Sequence, residues 1–252
     1  MKKKIIIANW KLNGNIQLLQ TLLKPLVNFY IRHKNKSSIK LVIMPPYVYL
    51  YPMKSIISHS SILLGSQNVD INLIGAFTGE VSINMLKDVG VSYVLVGHSE
   101  RRQYHRENDV IIAKKFKIVK DSHLIPVLCI GETEHEYLSC KTEKICKFQI
   151  DAIFDLLGPS GFNNSVIAYE PKWAIGTNTI PSINFIQKIL MFIQNYIFNK
   201  QNSTIKLFSL QYGGSVNEHN IIELYDVKNI DGFLVGSASL SLDFFKKLLN
   251  NC

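Results

Sequence analysis

The sequence reads as an α/β chain closed into a (β/α)8 barrel of eight parallel strands, on three observations. Eight short apolar, β-branched runs recur along it, segments with helical spacing lie between them, and 252 residues suit such a barrel in one domain. A doubly wound open sheet is the alternative that the same alternation allows. No linker, low-complexity tract or repeat divides the chain, so residues 1–252 read as one domain.

The first run, Ile5–Asn9, follows a basic lead, Met1-Lys2-Lys3-Lys4. The apolar stretch behind that lead is too short for an export signal and reads as a first strand. Leu18–Val27 has helical spacing, and Pro25 is expected to bend or end that helix because it lacks an N–H. The runs Leu41–Met44, Ile62–Gly65, Tyr93–Gly97, Ile125–Ile130, Val166–Tyr169, Leu207–Leu210 and Gly232–Val235 follow. Most lack strict alternation, as strands buried on both faces do. Helical spacing returns in Val110–Val119, Ile145–Leu157, Ile183–Ile197 and Phe244–Leu249. Ile183–Ile197 is the clearest, apolar at Ile183, Ile186, Ile189, Leu190, Ile193 and Ile197, with Ser182 after Pro181 as its start signal. Strand alternating with helix calls for right-handed crossovers between parallel neighbours.

Composition removes several classes of function. A hydrophobic fraction of 47% supplies a core, but no apolar run approaches the roughly 20 residues of a membrane span. Cys129, Cys140, Cys146 and Cys252 form no CxxC pair and have no histidine at zinc-ligand spacing. They read as reduced thiols of a cytoplasmic protein, with Cys129 a core residue of its apolar run. The net charge of +9 is spread along the chain with no basic block longer than Lys2–Lys4, so nucleic acid is not the expected partner. A positive field still raises the encounter rate with small anions.

In a barrel the site lies at the carboxyl ends of the strands, so the polar residues ending these runs matter most. Glu170 closes the sixth run, and Pro171 stops that strand at once. This reads as a base on a rigid strand tip, followed by a loop able to fold over it. Asn9 ends the first run, and Lys11 brings a compact positive charge beside it. His98 is the one histidine of seven at a strand's carboxyl end. Gly213-Gly214-Ser215 and Gly236-Ser237 are small-residue turns after the seventh and eighth runs, where barrels often bind phosphate on backbone N–H groups; Gly176 adds to them. No acidic cluster suggests a metal, and no GxGxxG follows a strand. A carboxylate base, a histidine and a lysine beside a phosphate site suit proton abstraction next to a carbonyl. These residues do not choose the sugar phosphate.

At these positions the chain resembles the triosephosphate isomerase family. The motifs are Asn9-Trp10-Lys11-Leu12-Asn13, Gly75-Ala76-Phe77-Thr78-Gly79-Glu80, Gly97-His98-Ser99-Glu100-Arg101-Arg102, Ala168-Tyr169-Glu170-Pro171, Trp173-Ala174-Ile175-Gly176-Thr177 and Tyr212-Gly213-Gly214-Ser215-Val216. Six in family order cover essentially the whole chain. The resemblance implies a TIM barrel interconverting dihydroxyacetone phosphate and D-glyceraldehyde 3-phosphate, in glycolysis and gluconeogenesis, without cofactor or metal. It implies Glu170 as base, neutral His98 as proton shuttle and Lys11 as stabiliser of the enediolate, a case the general chemistry of tuned acids and bases already describes. It further implies Asn9 at the substrate oxygens, and backbone amides near Gly176, Ser215, Gly236 and Ser237 at the phosphate. Residues 171–177 would be a lid, and the loop 66–80 would seat a homodimer. A non-catalytic scaffold and an isomerase for another small sugar phosphate are the rival readings. Three departures stand out: Lys172 at the first lid hinge where the family has an apolar residue, Asn178 where a glycine is usual, and Ser237 in place of a second glycine.

Overall fold

The computed structural model describes residues 3–33, 39–177, 180–203, 205 and 207–251. Eight strands form a closed barrel in chain order. They are β1 (Lys4–Asn9), β2 (Ile39–Met44), β3 (Leu63–Ser66), β4 (Tyr93–Val96), β5 (Ile125–Ile130), β6 (Val166–Tyr169), β7 (Ser209–Tyr212) and β8 (Gly232–Val235). Every neighbouring pair is parallel, and β8 closes on β1 through Ile5↔Gly232 to Ala8↔Val235. Helical segments occupy the connections: α1 (Ile16–Leu18), α2 (Lys24–His33), α3 (Leu50–Ile57), α4 (Ile83–Asp88), α5 (Ser99–Tyr104) and α6 (Asp109–Asp121). They continue with α7 (Glu134–Leu138), α8 (Thr142–Leu157), α9 (Ile183–Gln201), α10 (Ile221–Tyr225) and α11 (Leu242–Asn251).

Two apolar layers follow from the strand period of two. Ile7, Val42, Met44, Tyr93, Leu95, Val127, Cys129, Val166, Ala168 and Leu234 fill the barrel. The alternate residues, such as Leu128, Ile130, Ile167 and Tyr169, pack outward with the helices. Both faces are apolar, which is why the strands show no simple alternation in the sequence.

Helix starts follow local chemistry. The Ser182 hydroxyl accepts from the Phe185 N–H, as its place before the Ile183 periodicity suggests. Thr133 and Glu136 form a reciprocal capping box at α7.

Two expectations are corrected. Of the two outcomes expected at Pro25, a bend or an end, the end does not occur: a π turn, Leu19–Leu23, precedes it and α2 runs on to His33. The Lys24 N–H reaches back five residues to the Leu19 carbonyl, and this wider winding accommodates a residue without an N–H. The seventh strand is Ser209–Tyr212, two residues beyond the apolar run Leu207–Leu210. Leu207 lies half exposed, whereas Gln211 is buried inside the barrel and donates from Nε2 to the Ile5 carbonyl at 3.3 Å. A buried, hydrogen-bonded glutamine carries no apolar signal, so periodicity assigns the wrong pair of residues to the strand.

Candidate active site

Strand parity explains why the barrel's mouth is polar. Val166 and Ala168 point inward on β6, and the next residue of that parity is Glu170. Ile7 on β1 leads in the same way to Asn9, and Leu234 on β8 leads to Gly236. All eight sequence candidates line one cavity of about 250 Å³: Asn9, Lys11, His98, Glu170, Gly176, Ser215, Gly236 and Ser237. Asn13, Ile175, Gly213 and Gly214 complete much of its wall.

Glu170 is 4% exposed, and its Oε2 has no hydrogen-bond partner among the described residues. A buried carboxylate oxygen with free lone pairs is positioned to take a proton. The residue is fixed at its backbone, where its N–H donates to the Ile130 carbonyl at 2.7 Å. Gly213 supplies the room, since a Cβ there would lie 2.7 Å from the Glu170 Cγ. The Cys129 thiol lies against this carboxylate; burial first, then the Glu170 charge, pushes it well above the ordinary thiol range.

His98 caps α5, its Nδ1 accepting the Glu100 N–H at 3.3 Å. In the neutral ring an accepting Nδ1 leaves the proton on Nε2, which lies 3.5 Å from Glu170 Oε1. Arg102 stiffens the same corner by donating from Nε to the Gly97 carbonyl and from Nη1 to Asp109.

Lys11 has a left-handed backbone, φ 53°, an uncommon conformation for a residue other than glycine. Its N–H donates to Asn9 Oδ1 at 3.0 Å, and its carbonyl accepts from Gln67 Nε2 at 2.9 Å. These bonds hold the turn and send Nζ across the mouth to Glu100 Oε1 at 2.6 Å. Glu100, which sequence reasoning left without a role, therefore ties the lysine corner to the histidine corner. Its adjacency to His98 in the sequence was the available signal.

The segment after Glu170 forms a 3₁₀ turn, Lys172–Ala174. The Lys172 N–H donates to the Glu132 carbonyl, but no ion pair joins Lys172 to Glu132 among the described residues. The buried Glu132 carboxylate accepts instead from the Tyr169 hydroxyl and from Trp173 Nε1, the latter at 2.9 Å. Burial, then the nearby Arg102 charge, lowers the Lys172 ammonium below the usual lysine range. Asn178 lies outside the described residues.

A closed parallel barrel with polar side chains gathered at the carboxyl ends of its strands has the layout of a barrel enzyme. Comparison with known proteins narrows the class. The family model for triosephosphate isomerase matches residues 4–252. A triosephosphate isomerase from Buchnera aphidicola subsp. Cinara cedri is 48% identical over 251 residues, covering 99% of this chain and 98% of that protein. Those of Blochmanniella floridana and Erwinia tasmaniensis are 48% and 47% identical, each covering 99% of this chain and 96% of the relative. The chain belongs to the triosephosphate isomerase family, and its named relatives are isomerases.

Proposed function

We propose that the protein interconverts dihydroxyacetone phosphate and D-glyceraldehyde 3-phosphate through an enediolate. The observation that carries the reading is the meeting of Lys11, His98 and Glu170 in one cavity that Gly176, Ser215, Gly236 and Ser237 also line. Glu170 takes the proton from the carbon beside the carbonyl and returns it to the neighbouring carbon. His98 donates from Nε2 to the carbonyl oxygen as negative charge develops there, then moves that proton between the two oxygens. Lys11 adds a fixed positive charge, and Asn9 orients the oxygens. Backbone N–H groups of the four small residues hold the phosphate dianion. The lid, residues 171–177, keeps water from the enediolate, which otherwise expels its phosphate. Glycolysis and gluconeogenesis are the setting of that reaction.

A homodimer is part of the same proposal. The loop after β3 runs from 67 to 82 and leaves Leu73, Ile74 and Phe77 exposed, Ile74 by 92%. Leu12, 97% exposed, adds to the uncovered apolar surface beside the mouth. A second copy covering both surfaces removes them from water. Sedimentation showing only monomer at micromolar concentration overturns this part. A cytoplasmic location is supported by the free thiols of Cys129, Cys140 and Cys146. No described helix is long and apolar enough to cross a membrane.

A coupled assay with D-glyceraldehyde 3-phosphate tests the function. Turnover by the wild type and its loss in a folded Glu170→Ala variant are expected. Activity equal in the two proteins refutes the isomerase, and a panel of small sugar phosphates separates it from an isomerase of another substrate.

A further inference from the structure

We infer that Tyr137 is a positioning residue for the lid, clamping Trp173 so that Ile175 and Gly176 stay against the cavity. Tyr137 sits on α7, a short surface helix fixed by its own capping box rather than by deep packing. Its ring stacks on the Trp173 indole, with centroids 4.3 Å apart and planes 29° apart. Phe185, in the first turn of α9, meets the Tyr137 ring edge-on at 5.3 Å and 89°. The indole is thus held by stacking, and its Nε1 is held separately by Glu132.

The mechanical consequence follows from chain distance. Trp173 lies inside the turn Lys172–Ala174, and the next two residues, Ile175 and Gly176, form part of the cavity wall. A turn this short cannot keep those residues in place while its indole swings free. Offset aromatic stacking is favourable beyond the area it buries, so the clamp biases the lid toward the position seen here. The Tyr137 hydroxyl makes no hydrogen bond among the described residues, so the ring alone carries the effect.

The inference rests on the proposed lid, and its test separates the two. Trp10 is fully buried, so acrylamide quenching of tryptophan emission reports chiefly on Trp173. Tyr137→Ala is expected to raise that quenching, and Tyr137→Phe to leave it as in the wild type. The second readout uses 2-phosphoglycolate, a carboxylate that carries an enediolate-like charge beside a phosphate. Tyr137→Ala is expected to bind it roughly three- to tenfold more weakly and to release more inorganic phosphate per turnover. Tyr137→Phe is expected to restore both. Tyr137→Leu keeps apolar contact without the ring and is expected to lie between them, guarding against a defect of α7 itself. Unchanged quenching in Tyr137→Ala, tighter analogue binding in that variant, or failure of Phe to rescue overturns the inference. A wild type without isomerase activity refutes the functional reading instead, while the quenching comparison still decides the clamp.

Discussion

Replacing Lys172 by Val is expected to tighten the binding of 2-phosphoglycolate. The lid holds this side chain half-buried, near Arg102 and without an ion pair among the described residues. Glu136, Asp109 and Glu132 pull its titration upward, but burial and the Arg102 charge outweigh them. The stem covers apolar surface while the ammonium must stay hydrated. A valine removes that conflict and buries roughly 40 Å² of apolar surface at about 25 cal/mol per Å², which favours the lid's position by about 1 kcal/mol. Since 1.4 kcal/mol corresponds to a factor of ten, the analogue's dissociation constant is expected to fall about fivefold. The pH dependence carries a sign. A lysine whose ammonium is disfavoured with the lid in place makes that position more stable as pH rises from the lowered value toward the ordinary lysine range. Below that window the penalty is constant. Wild-type analogue affinity therefore gains a component at alkaline pH that Lys172→Val lacks. Calorimetric titration of both proteins across that range checks this. Weaker binding by the valine variant refutes the reasoning and means that the lysine finds a carboxylate when ligand is bound; Glu132, already engaged by Tyr169 and Trp173, is poorly placed for it.

Three further outcomes are expected. Iodoacetamide should label Cys140 in the native protein but reach Cys129 and Cys146 only after unfolding, because burial raises both thiols; peptide mapping reads this directly. Glu107→Gln should destabilise the fold by about 3 kcal/mol in chemical denaturation, since it leaves the buried Lys115 ammonium with Asn68 as its neutral partner. Burial raises the Glu107 carboxyl, but Lys115 and Arg101 together hold it below the carboxylate range. Its contribution therefore stands at neutral pH and is lost as pH falls through that lowered value, so the variant and the wild type should converge in strong acid. Gly213→Ala should lower kcat on the order of a hundredfold with the fold intact by circular dichroism, since its Cβ displaces the Glu170 side chain.

The sequence is legible where one physical rule governs. Six of the eight strands keep the bounds of their apolar runs to within a residue, because a strand buried on both faces must be apolar throughout. β2 also follows its run but starts at Ile39, two residues early. β7 escapes because Gln211 is buried inside the barrel with its Nε2 donating to the Ile5 carbonyl, and the helix does not end at Pro25 because a π turn absorbs it. The eight site candidates could be found because each ends a strand or follows one, and parity sends Asn9, Glu170 and Gly236 to the cavity. Pairings across the barrel leave no such trace. Lys11 reaches Glu100, 89 positions away, and Trp173 rests on Tyr137 from a different connection. Cys129 has the apolar surroundings of a core residue and is one, yet it also touches Glu170. Only the closed ring of strands brings these groups together.

The central claim is that Glu170 moves a carbon-bound proton through an enediolate, and solvent exchange measures this most directly. Dihydroxyacetone phosphate incubated with the protein in D₂O is followed by proton NMR. The wild type is expected to introduce deuterium at the carbon bearing the transferred proton, in the recovered substrate and in the product. Glu170→Gln, folded and able to bind 2-phosphoglycolate, is expected to do so slower on the order of a thousandfold. Equal exchange and equal isomerisation in the two proteins contradict the account.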